Sequence, residues 1–227
     1  MKRATIGVRM HSGWGALVAV SNSAGTVEVI ARRRVAVTTP GTPGANQPYH
    51  FAENLELPEA ETFLGNCFAA SKRLAFEAVR DVVGELHGRQ YRVVGSAILL
   101  ASGRPLPPLS KILASHALIH AAEGEFFREA FLKACEGLDL SVTGFRERNL
   151  EKCVQTTFGK AATRMWQQIS TLGRSLGPPW TKDQKTAALA ALVVLANKQK
   201  VIPANSRTEK GSTSEKKLRP FSSLGKP

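Results

Sequence analysis

Residues 5–37, TIGVRMHSGWGALVAVSNSAGTVEVIARRRVAV, decide the fold. β-Branched and apolar residues dominate 5–10, 16–20, 26–31 and 34–37, the composition of strands half-buried on a core. Between them, His11-Ser12-Gly13-Trp14-Gly15 and Ser21-Asn22-Ser23-Ala24-Gly25 carry turn residues. The pattern predicts a three-strand antiparallel meander, its third strand either in two pieces or continuous over 27–37.

Working outward, TTPGTPGAN at 38–46 reads as a flexible connection, and Gln47-Pro48-Tyr49-His50-Phe51 returns the chain to the body. Pro58 suits a first helical turn, and Glu59 and Glu61 suit its positive end. Leu64, Phe68, Ala75, Val79, Val82 and Leu86 then recur at helical spacing as far as Gly88, where His87 suits a helix C-terminus. YRVVGSAILL at 91–100 reads as a buried strand, 102–109 as a proline-rich loop, and 110–135 as one helix. A short last strand over 138–144 and an amphipathic helix over 147–172 follow. After the Gly177-Pro178-Pro179-Trp180 break, Thr181 and Gln184 make a capping-box pattern for a final helix ending near Asn197. Its apolar run at 187–196 is about half a membrane span, so it reads as a buried helix.

The 227 residues suffice for one substantial core, expected over 1–197, followed by a disordered basic tail over 198–227. Net charge is +13; eight Lys/Arg against two Glu place +6 of it in that tail, leaving +7 on the body. Such a balance favours a polyanionic partner, nucleic acid above all. Cys67, Cys135 and Cys153 are odd in number and lack C-x-x-C spacing, so they read as reduced thiols of a cytoplasmic protein. Arg9 and His11 interrupt the apolar start, which argues against an export signal. Phosphate-binding glycine loops, the nucleophile-elbow pattern and paired-cysteine zinc motifs are all missing.

Three strands, helix, strand, helix, strand, helix is the order of the RNase H-like fold, and the chain resembles its RuvC-like resolvase branch. The resemblance rests on an opening Ile6-Gly7-Val8 strand entering a glycine turn at Ser12-Gly13-Trp14-Gly15. It rests also on Asp183-Gln184-Lys185-Thr186-Ala187-Ala188-Leu189-Ala190-Ala191-Leu192, similar to that family's last helix. It implies a mixed five-stranded α/β sheet, antiparallel meander first, flanked by helices, over roughly residues 4–197. It further implies a nucleic-acid partner and two Mg²⁺ ions held by clustered carboxylates. Here the sequence departs from the family. The first strand, Ile6-Gly7-Val8-Arg9-Met10, has no acid, Leu99-Leu100-Ala101-Ser102 stands where a Glu would fall, and Thr186 where a second Asp often falls. Asp183 alone remains, and an acid in a helix's first turn stabilises that helix by about 0.3–1 kcal/mol without any catalytic task.

The most suggestive chemistry lies in SHALIHAAEGE at 115–125. His116, His120 and Glu123 stack at i, i+4 and i+7, beside Leu113, Phe127, Phe131 and Ala134, and so are expected to face the core. Two histidines at that spacing can share one metal ion with the carboxylate a turn later, although Ala117 replaces the glutamate of a zinc protease. His11 and His50 are expected to converge on them. The reading is therefore a nucleic-acid-binding protein with an altered site. His11, His116, His120, Glu123 and Asp183 are its candidate catalytic groups, and His116, His120 and Glu123 the ligands of a possible divalent ion (Mg²⁺, Mn²⁺ or Zn²⁺). Arg9, His50, Arg32 and Arg34 are the candidate substrate contacts, with Arg33 on the opposite strand face. Two other classes stand beside a divergent phosphodiesterase: a binding or scaffold module that has lost the nuclease acids, and a metal-dependent hydrolase of a small molecule.

Overall fold

The computed structural model describes residues 1–101 and 105–200. The expected tail from 201 onward, and the start of the proline-rich loop at 102–104, lie outside the described residues.

The meander is present as β1 (Lys2–His11), β2 (Trp14–Ser23) and β3 (Thr26–Ala36), each antiparallel to its neighbour. β4 (Tyr91–Leu100) joins the other edge of β1 in parallel, and β5 (Val142–Arg146) pairs in parallel with β4. The sheet order is β3-β2-β1-β4-β5, the RNase H-like arrangement of a mixed five-stranded sheet. Parallel pairing needs crossovers, and the two long connections supply them. The first holds α1 (Pro48–Ala52) and α2 (Leu57–Gly88); the second holds α3 (Leu109–Leu113) and α4 (His116–Glu136). After β5 come α5 (Glu147–Phe158), a 3₁₀ turn (Gly159–Ala161), α6 (Ala162–Thr171), α7 (Gly173–Leu176) and α8 (Lys182–Lys200).

Strand alternation sorts β1 between two cores. Ala4, Ile6, Val8 and Met10 join the α2/α4 core, which includes Val79, Leu86, Phe127 and Phe131. The opposite face receives α8, whose residues Ala187 to Leu195 are all buried because α5 and α6 cover its far side. A helix apolar all round is stable only when enclosed in this way. α8 runs antiparallel to β1, and two strand residues advance about as far as four helical ones, roughly 6–7 Å. Successive contacts therefore repeat in step. The Thr5 hydroxyl donates to Ala191 O at 2.7 Å, and a Cβ on Gly7 would lie 1.9 Å from Ala187 O. Arg9 completes the series at Asp183. Arg3 closes the far end, donating from Nη2 to Lys198 O at 2.7 Å.

Several expected boundaries shift. The helix expected over 110–135 is two helices, because Ser115 takes an extended backbone (φ −143°, ψ 111°). The helix expected over 147–172 breaks at Gly159, which adopts φ +54°. The last strand starts at Val142 because 137–141 coil back on the end of α4, with Leu138 N and Leu140 N both donating to Cys135 O. Residues 198–200, expected in the tail, are the last of α8. The capping box at its start is formed: Thr181 N donates to Gln184 Oε1 at 2.9 Å and Gln184 N to Thr181 Oγ1 at 3.3 Å. The three cysteines are free thiols. No helix among the described residues is long and apolar enough to cross a membrane.

Candidate functional site

The three parallel strands end together, and a cleft of about 520 Å³ opens beyond their C-terminal ends. β1 contributes Arg9 and His11, and the end of β5 with the start of α5 contributes Arg146, Glu147 and Arg148. α4 contributes His120, Glu123 and Arg128. Four guanidinium groups thus meet two carboxylates around one cavity, with two imidazoles among them.

The arginines are not equivalent. Arg9 reaches Asp183 with Nη1 and Glu147 Oε2 with Nη2 at 3.0 Å, while Lys182 approaches Glu147 Oε1 at 3.9 Å. Arg128 donates from Nε to Leu99 O and from Nη1 to Glu125 Oε1, both at 3.2 Å. Burial lowers its pKa, partly offset by Glu125, and Arg9 nearby lowers it a little further. A guanidinium starts high enough to stay charged regardless. Gly124 makes room for it, since a Cβ there would lie 2.9 Å from Nη1. Arg146 and Arg148 are exposed and have no hydrogen-bond or ion-pair partner among the described residues.

Asp183 sits in the first turn of α8, with His11 Nε2 at 2.9 Å from Oδ2 and Arg9 on Oδ1. Both carboxylate oxygens are therefore engaged by cationic or donor groups. A pair of Mg²⁺ ions needs several free carboxylates. Here an arginine and a histidine of β1 occupy that place, so the two-ion site of RNase H-like nucleases does not fit these residues.

A second cluster adjoins the cleft through His120 and Glu123. His116 opens α4 and His120 follows one turn later, their Nε2 atoms 3.0 Å apart. His50 of α1 completes a triad, its ring centroid 4.7 Å from that of His120 and 5.3 Å from that of His116. Pro48 starts α1, and Tyr49 packs edge-on against Phe126 at 6.0 Å, which fixes where His50 falls. Beneath it lies Glu123, 2% exposed, its Oε1 3.3 Å from the backbone N of His50 and 3.0 Å from Nδ1. The second approach misses the line of a ring N–H bond, leaving that buried nitrogen without a hydrogen-bond partner. The Tyr49 phenol is held above its ordinary pKa by burial and by the charge of Glu123.

The structure thus brings His50, His116, His120 and Glu123 together and puts His11 on Asp183 instead. The histidine pair expected to face the core is exposed; only Glu123 is buried. His50, expected as a substrate contact, supplies the third imidazole, and Glu123 stands behind it rather than completing the set with His116 and His120. Arg32 is occupied structurally, donating to Leu176 O, Gly177 O and Pro179 O at 2.5–2.9 Å. Arg34 lies over Trp14, 3.6 Å from the ring centroid, and His11 stacks on the same indole at 4.3 Å. Arg33 points the other way, to Glu85 of α2. Sequence reasoning missed Arg128, Arg146 and Arg148; the Arg146-Glu147-Arg148 run at a strand end was the available signal.

No protein-family model matches the chain, and no curated protein does. Among solved structures, the chain is similar to RuvC of T. thermophilus in complex with a Holliday junction substrate, with TM-score 0.48 and 12% identity. That alignment covers 88% of this chain and 96% of that one. A second structure of Thermus thermophilus RuvC gives TM-score 0.47 and 12% identity over 87% and 96%. The chain is a distant structural likeness of RuvC, in architecture only.

Proposed function

We propose that the protein binds nucleic acid through the arginine cleft at the ends of β1, β4 and β5. One observation carries the reading: the Arg146 and Arg148 side chains have no partner among the described residues and line a cavity that already holds Arg9 and Arg128. Guanidinium groups without internal partners present forked donors matched to phosphate oxygens. The net charge of +13 adds attraction at longer range.

A titration of fluorescent DNA over a salt series tests the reading, using the full chain and the double substitution Arg146→Ala/Arg148→Ala. Each phosphate contact contributes about 0.9 to the slope of log K against log salt on duplex DNA. The double variant should lose about 1.8 of that slope and bind at least tenfold more weakly in low salt. An unchanged slope refutes the cleft as the binding surface. A second reading, phosphodiester hydrolysis, is favoured by one observation: His11, His120 and Glu123 line the same cavity as the arginines. In it an imidazole takes the proton of the attacking water as its oxygen bonds to phosphorus, the arginines stabilise the phosphorane charge, and the P–O bond to the sugar oxygen breaks with that oxygen taking a proton from water. Plasmid nicking by the same preparation, lost in His120→Ala, supports it; intact supercoiled plasmid throughout removes it.

A further inference from the structure

We infer that His50, His116 and His120 form a site for one tetrahedral transition-metal ion, Zn²⁺ being the best fit, with Glu123 as the carboxylate that orients His50. The inference does not rest on the nucleic-acid reading, and its test uses no nucleic acid.

The geometry is close to that of a bound ion. One nitrogen from each ring lies within 4.8 Å of the others. Zinc–imidazole bonds of about 2.0–2.1 Å at tetrahedral angles require donor nitrogens about 3.3 Å apart and ring centroids about 5 Å apart. The His116 and His120 nitrogens are 3.0 Å apart, and the three centroid separations are 4.5, 4.7 and 5.3 Å. Ligation would require the exposed rings of His116 and His120 to exchange their mutual Nε2 contact for the ion, and to close the three nitrogens from within 4.8 Å to the tetrahedral spacing. Two of the ligands sit one turn apart on a 21-residue helix, and the third is fixed by the packing of Tyr49.

Charge points the same way. Glu123 is buried with His50 as its ion-pair neighbour among the described residues, and a buried carboxylate requires a compensating positive charge. A divalent ion held by His50 supplies it through the ring once Nδ1–H, 3.0 Å from Glu123 Oε1 but off the bonding line here, turns onto that oxygen, the usual carboxylate–histidine–metal relation. With Nδ1 turned to Glu123, Nε2 is the nitrogen left for the ion. An all-nitrogen set disfavours Mg²⁺ and Ca²⁺, which take oxygen ligands, and favours zinc-like ions. Three protein ligands leave a fourth position for water or a ligand. His120 also lines the arginine cleft.

The experiment is a Co²⁺ titration of full-length, untagged, metal-stripped protein followed in the visible range, then displacement by Zn²⁺. The expected result is saturation at one equivalent with the intense bands of tetrahedral Co²⁺, bleached by one equivalent of Zn²⁺. Zn²⁺ should also raise the melting temperature in a concentration-dependent way. His116→Ala and His120→Ala, both at exposed positions, should each abolish the bands while leaving the metal-free melting temperature unchanged. Glu123→Gln should weaken Zn²⁺ binding roughly 10–100-fold. Weak octahedral bands, a stoichiometry other than one, or undiminished tetrahedral bands in His120→Ala would overturn the assignment.

Discussion

Gly7→Ala is the sharpest test of how the site is positioned. Gly7 lies in the middle of β1, where a Cβ would fall 1.9 Å from Ala187 O and 3.1 Å from Ala191 Cβ. Ordinary contact needs about 3.5 Å, so β1 and α8 must separate locally by about 1.5 Å. Inserting a methyl group into a packed core costs about 1–3 kcal/mol. Loosening the adjacent Thr5–Ala191 hydrogen bond adds about 0.5–1.5 kcal/mol. Replacing a strand glycine returns about 0.5–1 kcal/mol. The obstacle is a backbone carbonyl that cannot rotate aside, so the upper part of the range applies, a net loss of about 3 kcal/mol. For a domain of this size, that lowers the melting temperature by about 6–12 °C. Gly95→Ala is the control: it lies on β4 facing the same helix, but its nearest obstacle is the side-chain methyl Val194 Cγ1 at 3.3 Å. Its effect should stay within about 1 kcal/mol. The assay is thermal and urea unfolding by circular dichroism. A drop below 2 °C for Gly7→Ala, or equal drops for the two variants, would falsify the claim that a backbone-to-backbone approach sets the position of α8.

Two further outcomes follow from buried ionisable groups. Burial pushes the Cys135 thiol up to about 12 and raises that of Cys67, whereas Cys153 is half-buried. Thiol titration of the native protein at pH 8 should therefore label Cys153 first and leave Cys135 unreacted until denaturant is added; rapid labelling of Cys135 refutes its burial. Glu129 is held above the ordinary carboxylate range mainly by burial, against the opposing pull of Lys133. The native state then binds its proton more tightly than the unfolded chain does. Its favourable contribution is complete below the ordinary carboxylate pKa and is lost as pH rises through the raised value. Urea unfolding at pH 4 and pH 7 should show Glu129→Gln gaining on the parent at the higher pH; a gain confined to pH 4 contradicts this sign.

Most of the fold was legible because its elements obey simple periods. The meander announced itself through β-branched runs and glycine turns, and α2 through apolar residues every three or four positions over nearly its whole length. What escaped were local interruptions with weak or absent signals. Ser115 breaks a helix without glycine or proline beside it, and Gly159 is of a type that helices tolerate at modest cost. The site divides similarly. That His116, His120 and Glu123 lie along one stretch of α4 was readable from helical spacing, but the expected inward facing holds only for Glu123. The arrival of His50 from α1, and the pairing of His11 with Asp183 across 172 positions, depend on how distant elements pack. The arginines were obscured for the same reason, since Arg9, Arg128, Arg146 and Arg148 come from three separate segments that meet only when the parallel strands end together.

The in-step contacts between β1 and α8 make length, more than residue identity, the sensitive variable of the last helix. With Ala191 anchored by Thr5, one residue inserted between 183 and 191 would turn the preceding segment by about 100°. The carboxylate of Asp183 would swing away from His11, and Arg9 would be released into the cavity with no counter-ion on α8. The same insertion beyond Ala191 would leave those partners in place. Exchange of one small side chain for another along this face should be tolerated wherever no backbone is met, whereas frame-preserving indels upstream of 191 should not.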